Sequence, residues 1–87
     1  MSYQIYIKPS AKKELINLPD SVLKRIDETI LNLSGDPRPN GSAKLKGFDY
    51  YRVRIGSYRL IYEIDNGKKS VTIIRIRHRS EVYSELR

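Results

Sequence analysis

The sequence has no cysteine, a single histidine and no apolar run longer than a strand. Without cysteine there can be no disulfide framework, no thiolate nucleophile and no cysteine-ligated zinc or iron-sulfur site, which suits a reducing cytoplasm. One histidine without a local carboxylate cluster argues against a dedicated metal centre, so any catalysis is expected to be cofactor-free. The N-terminal MSYQIYIKPSAKKEL lacks an apolar stretch of signal-peptide length, and the roughly 18 consecutive apolar residues of a membrane span occur nowhere. A cytoplasmic protein that does not engage a membrane is expected. Negative charge is also scarce: 10 Asp and Glu stand against 17 Lys and Arg, a formal net charge of +7. The excess is uneven. Residues 1–43 hold six basic and five acidic side chains, and residues 44–87 hold eleven and five. A polyanionic partner, nucleic acid first, is the natural counterpart of such a C-terminal half.

At 87 residues the chain suffices for one domain over residues 1–87 with a single core. SYQIYIK alternates Tyr3, Ile5 and Ile7 against Gln4, Tyr6 and Lys8, the period of a half-buried strand. Pro9 and Ser10 open a helix with Ala11, Leu15 and Leu18 on one face. Pro19 breaks it, and Asp20 or Ser21 can cap a second helix whose stripe is Leu23, Ile26, Ile30 and Leu33, with Gly35 as its stop. GDPRPNGS reads as a loop, AKLKG as a short strand and Phe48-Asp49 as a turn. Three strands follow. YYRVRI sets Arg52 and Arg54 opposite Val53 and Ile55; YRLIYEI sets Leu60, Tyr62 and Ile64 opposite Arg59, Ile61 and Glu63. After a hairpin signalled by Asn66-Gly67, SVTIIRIR sets Arg75 and Arg77 opposite Thr72, Ile74 and Ile76. The fold class is therefore α+β: β-α-α-β-β-β, a two-helix hairpin on a twisted, mainly antiparallel sheet, with SEVYSELR as a short C-terminal helix or turn.

Arginines spaced two apart on adjacent strands converge on one face if register allows, and the guanidinium fork matches the oxygens of a phosphodiester. RNA supplies its own nucleophile. A protein can cleave it by aligning the 2'-hydroxyl, removing its proton, stabilising the phosphorane and protonating the departing 5'-oxygen, leaving a 2',3'-cyclic phosphate and a 5'-hydroxyl. Arginine, with a pKa above about 12, accepts protons poorly. His78 and Tyr83 are the acid-base candidates: basic surroundings favour phenolate and neutral imidazole alike, and Tyr83 could equally stack on a base.

The ordered set KLKGFDYYRVRIGSYRLIYEI and IIRIRHRSEVY resembles the RelE family of toxin ribonucleases, within the wider RelE/ParE superfamily. The N-terminal strand and both helices agree with it in order and length, so the resemblance spans essentially the whole chain. It implies the toxin half of a bacterial toxin-antitoxin pair, which enters the ribosomal decoding site, cuts the mRNA codon there and is silenced by a cognate antitoxin. The free toxin is expected to be a monomer and the antitoxin complex a hetero-oligomer. Residue by residue, the family's basic positions fall on Arg52, Arg54, Arg59 and Arg77, and its terminal tyrosine falls on Tyr83. Where the best-known member has lysines this chain has Arg52 and Arg54, and His78 replaces an acidic residue. Lys44, Lys46, Arg75 and Arg79 are candidate RNA contacts.

Two readings from other classes stand beside this one. A ParE-like inhibitor of DNA gyrase would share the fold without nuclease chemistry, although the terminal RHRSEVY argues against it. A basic RNA-binding module without catalysis would show salt-sensitive RNA affinity that survives loss of Tyr83 and His78. The plainest alternative makes Arg52, Arg54 and Arg59 a solvated sheet face that discourages aggregation, His78 a surface or capping residue and Tyr83 a packing residue of the terminal turn.

Overall fold

The computed structural model, which describes residues 2–45 and 50–78, begins as the alternation of Tyr3, Ile5 and Ile7 dictates. Strand β1 (Gln4–Ile7) turns Ile5 and Ile7 inward and leaves Tyr6 exposed. Pro9 then occupies the first turn of helix α1 (Pro9–Ile16), where its missing N–H costs nothing. Helix α2 (Asp20–Gly35) follows Pro19, which serves as the N-cap. Asp20 lies inside the first turn, where its charge complements the helix dipole, and neither it nor Ser21 is the cap. Strands β2 (Ala43–Lys44), β3 (Tyr50–Ile55), β4 (Tyr58–Asp65) and β5 (Ser70–His78) complete the expected order. The turn assigned to Phe48-Asp49 and the terminal element assigned to SEVYSELR lie outside the described residues.

The strands form one sheet in the order β1-β5-β4-β3-β2, with β1 parallel to β5 and every other pair antiparallel. β1 accompanies β5 only as far as Ile7 opposite Ile73. The chain then leaves the sheet and α1 takes over the remaining edge, with Lys8 N–H donating to Ile73 O at 3.0 Å and the Ser10 hydroxyl to Ile74 O at 3.2 Å. Both helices cover one face. Ala11 from α1 and Ile26, Ile30 and Leu33 from α2 close over Val53, Ile55, Leu60, Tyr62, Val71, Ile73 and Ile76. Complete burial of side chains such as Leu60 and Ile73 contributes about 1.5–3 kcal/mol each.

β5 departs from simple alternation. Ile61 of β4 faces Arg75, but the next residue, Tyr62, faces Ile73, so Ile74 is the extra residue of a β-bulge. The bulge resets the phase of the strand. Val71 and Ile73 join Ile76 on the helix side, whereas Thr72 shares the opposite side with Arg75 and Arg77. The expected grouping of Thr72 and Ile74 with Ile76 is thereby corrected. An unbroken period of two would have put either Val71 and Ile73 or Ile76 outside the core.

The turns follow local chemistry. Gly56 has φ +60° between β3 and β4, and a Cβ there would come within 3.2 Å of the Arg25 guanidinium. In the β4–β5 hairpin the left-handed residue is Lys69, at φ 52°, and not Gly67; Asp65 Oδ1 accepts the Lys68 N–H at 3.0 Å. The Tyr62 hydroxyl donates to Pro37 O at 2.7 Å, tying the loop after α2 to the sheet. Among the described residues no helix is long and apolar enough to cross a membrane.

Candidate active site

Opposite residues of paired strands point to the same face, and register therefore decides which arginines meet. Arg54 of β3 faces Arg59 of β4, and Arg59 faces Arg77 of β5. The next row outward on the same face is Arg52, Ile61 and Arg75. With strands about 4.8 Å apart, each row spans roughly 10 Å, the scale of a phosphodiester and its neighbouring sugars. Among the described residues no helix covers this face: Ile61, although only 8% exposed, is absent from the core cluster beneath α1 and α2.

The rows are graded in burial. Arg54 is exposed, Arg52 and Arg77 are half-buried, and Arg59 at the centre is only 7% exposed. Like charges placed directly opposite one another repel, so the central row carries an unfavourable term that an anion would relieve. Ala43 of β2 lies opposite Arg52, which extends that row with a small side chain.

One carboxylate reaches this cluster from α1. Glu14 Oε2 lies 3.1 Å from Arg77 Nε and 3.9 Å from Arg75 Nη1, while Oε1 accepts the Ile76 N–H at 2.8 Å. Glu14 was not among the residues singled out by sequence, although a signal was present. It sits three residues after Ala11 and four before Leu18, so it shares the inward stripe of α1, an unusual position for a carboxylate without a dedicated partner.

His78 does not join the arginine row. As the immediate neighbour of Arg77 it must point to the other face of the strand, and there it opposes Tyr58 in an edge-to-face contact with ring centroids 5.4 Å apart. Together with Asn17, Leu18 and Arg77 it lines an open cleft of about 480 Å³ at the end of α1. Lys44 is also elsewhere: it pairs with Tyr51 and lines a second cleft, of about 410 Å³, with Arg38 and Asp65. Arg38, a residue the sequence pattern did not flag, lies over the Tyr51 ring at 5.2 Å and donates from Nε to the Tyr51 hydroxyl at 3.4 Å, which raises its pKa further. Lys46, Arg79 and Tyr83 lie outside the described residues. Among the described residues no three His, Asp or Glu side chains gather as a metal ion would require.

Comparison with known proteins meets this geometry from the outside. Residues 5–83 match the family model of the ParE toxin of the type II toxin-antitoxin system parDE. The chain is 32% identical to Toxin RelG of Mycobacterium tuberculosis, over 95% of this chain and 98% of that protein. It is 33% identical to the mRNA interferase toxin RelE of Escherichia coli, over 98% and 94%. The archaeal RelE of the Pyrococcus horikoshii RelE-RelB complex superposes with a TM-score of 0.82 at 32% identity, covering 91% of this chain and 97% of that one.

Proposed function

The chain belongs to the RelE/ParE family of type II toxin-antitoxin toxins, and on that premise we propose that it is a metal-independent endoribonuclease that cleaves mRNA in the ribosomal decoding site. The observation that carries this reading is the register-matched row Arg54, Arg59 and Arg77 on the sheet face opposite α1 and α2. In this reaction the 2'-hydroxyl oxygen attacks the adjacent phosphorus, the bond to the 5'-oxygen breaks, and the phosphorane between them carries extra negative charge. Arg59, held by its burial, and Arg77 stabilise that charge; Arg54 and Arg52 hold the flanking phosphate. Tyr83, by the family pattern, or His78, which shares a cleft with Arg77, exchanges the protons, since arginine cannot. Arg75 and Arg79, with Lys44 and Lys46, serve as backbone contacts to RNA.

The partner that restrains this activity is an antitoxin, as RelB accompanies RelE in the Pyrococcus horikoshii complex. An acidic segment that folds on binding would match the arginine face. The match to the ParE toxin family favours a second reading, in which the chain acts as the ParE-like gyrase inhibitor considered from its sequence.

Mapping the ends of one mRNA with and without programmed ribosomes separates the two. Cuts within the decoding-site codon that disappear in Arg77→Ala are expected. Intact RNA under both conditions, together with inhibited supercoiling, would replace the ribonuclease with the gyrase reading.

A further inference from the structure

We propose that Glu14 is a positioning residue whose anchored carboxylate keeps the Arg77 guanidinium in place to meet the scissile phosphate. This rests on the ribonuclease reading and extends it to a residue outside the arginine face.

β1 pairs with β5 only through Ile73, so beyond that point the edge of β5 needs another acceptor for its backbone donors. At Ile76 that acceptor is Glu14 Oε1, at 2.8 Å. A carboxylate fixed in this way cannot follow a mobile side chain. Its second oxygen, 3.1 Å from Arg77 Nε, therefore sets a stationary negative charge beside the guanidinium, an ion pair that keeps the cation at this end of the arginine row. The pair is also sheltered: both side chains are 19% exposed, so solvent screens the interaction less than on an open surface. Arg75 Nη1, 3.9 Å from the same oxygen, adds a weaker contact. Glu14 thus ends the strand edge and pairs with an arginine of the row through one functional group, which explains a carboxylate on the inward stripe of α1.

The test is a double-mutant cycle in single-turnover cleavage of mRNA on programmed ribosomes, using the full chain. Glu14→Gln keeps an oxygen for the Ile76 N–H and removes the charge. It is expected to lower the cleavage rate by about 10- to 100-fold, to change the ribosome concentration at half-maximal rate little, and to cost nothing more when Arg77 is already alanine. An unchanged or faster rate for Glu14→Gln, or an equal loss in both backgrounds, would overturn the proposal. Without RNA, Glu14→Gln should shift the Arg77 Nε resonance and speed its exchange with solvent relative to the unaltered protein, leaving Arg54 as it was, as read by nitrogen-15 NMR. An Arg77 signal that Glu14→Gln leaves unaltered would overturn the pairing without reference to activity. Wild-type protein that leaves ribosome-bound mRNA intact would bring down the ribonuclease reading instead, an outcome the NMR measurement distinguishes because it involves no RNA.

Discussion

The two faces of the sheet are written in alternate residues of the same strands, yet they obey opposite rules. On the helix side, Val53, Leu60 and Ile76 meet across β3, β4 and β5 and lose their water to Ile26, Ile30 and Leu33. One position along, Arg54, Arg59 and Arg77 meet with charges of one sign, and Glu14 is the carboxylate brought to them from α1. The first face contributes stability through burial; the second gives some of it up to keep a concentration of positive charge in place. The difference teaches where each kind of substitution should register. Damage to the apolar face should be read in unfolding, and damage to the arginine face in chemistry.

The largest departure is expected from Arg77→Ala, which should lower ribosome-dependent cleavage by about 100- to 1,000-fold, the usual cost of losing a transition-state donor. Primer extension measures the rate and urea unfolding the stability; a large loss of stability would blur the division between faces. Leu60→Ala is the mirror experiment. It should cost about 2–5 kcal/mol in unfolding free energy while the cleavage rate per folded molecule stays near that of wild type. Smaller still, Arg54→Ala should weaken RNA binding and reduce the slope of log affinity against log salt by about 0.7–1, with stability unchanged or raised by about 0.2–1 kcal/mol as repulsion against Arg59 is relieved. A lowered stability would mean that Arg54 packs the face as well as charging it. The smallest effect belongs to Tyr62. Burial pushes its phenol above the ordinary value near 10, so the neutral form is favoured in the folded state. Its contribution is complete below the unfolded pKa and is lost as pH rises through the folded one. Tyr62→Phe should therefore flatten the fall in stability above about pH 10, at the cost of the Pro37 hydrogen bond, about 1 kcal/mol. An undiminished alkaline slope would assign that fall to other groups.

Much of this division could be read from residue order. The alternation in YYRVRI and YRLIYEI separates Arg52, Arg54 and Arg59 from Val53, Ile55, Leu60 and Tyr62, and the structure keeps that separation. Of the expected α2 stripe, Ile26, Ile30 and Leu33 are buried as helical spacing implied, whereas at its start Val22 packs on the core in place of Leu23. The last strand was not, because a bulge adds one residue to the count and no propensity marks Ile74 as that residue. For His78 the sequence left its place open: adjacency to Arg77 within a strand turns it toward Tyr58 and away from the row, although both side chains line one cleft.

Taken alone, the sequence determined the element order, the apolar stripes, the excess of positive charge after residue 43 and the exclusion of cysteine chemistry. These depend on periodicities of 2 and 3.6 and on composition, which are properties of neighbouring residues. Only tertiary structure decided that Arg54, Arg59 and Arg77 share a row, that β1 runs parallel to β5, and that Glu14 completes the strand edge beyond β1. Those facts depend on register between segments far apart in the chain, 62 residues for Glu14 and Ile76 and more for Gln4 and Ser70. Register is selected by the packing of the whole sheet against its helices, and local preference does not specify it.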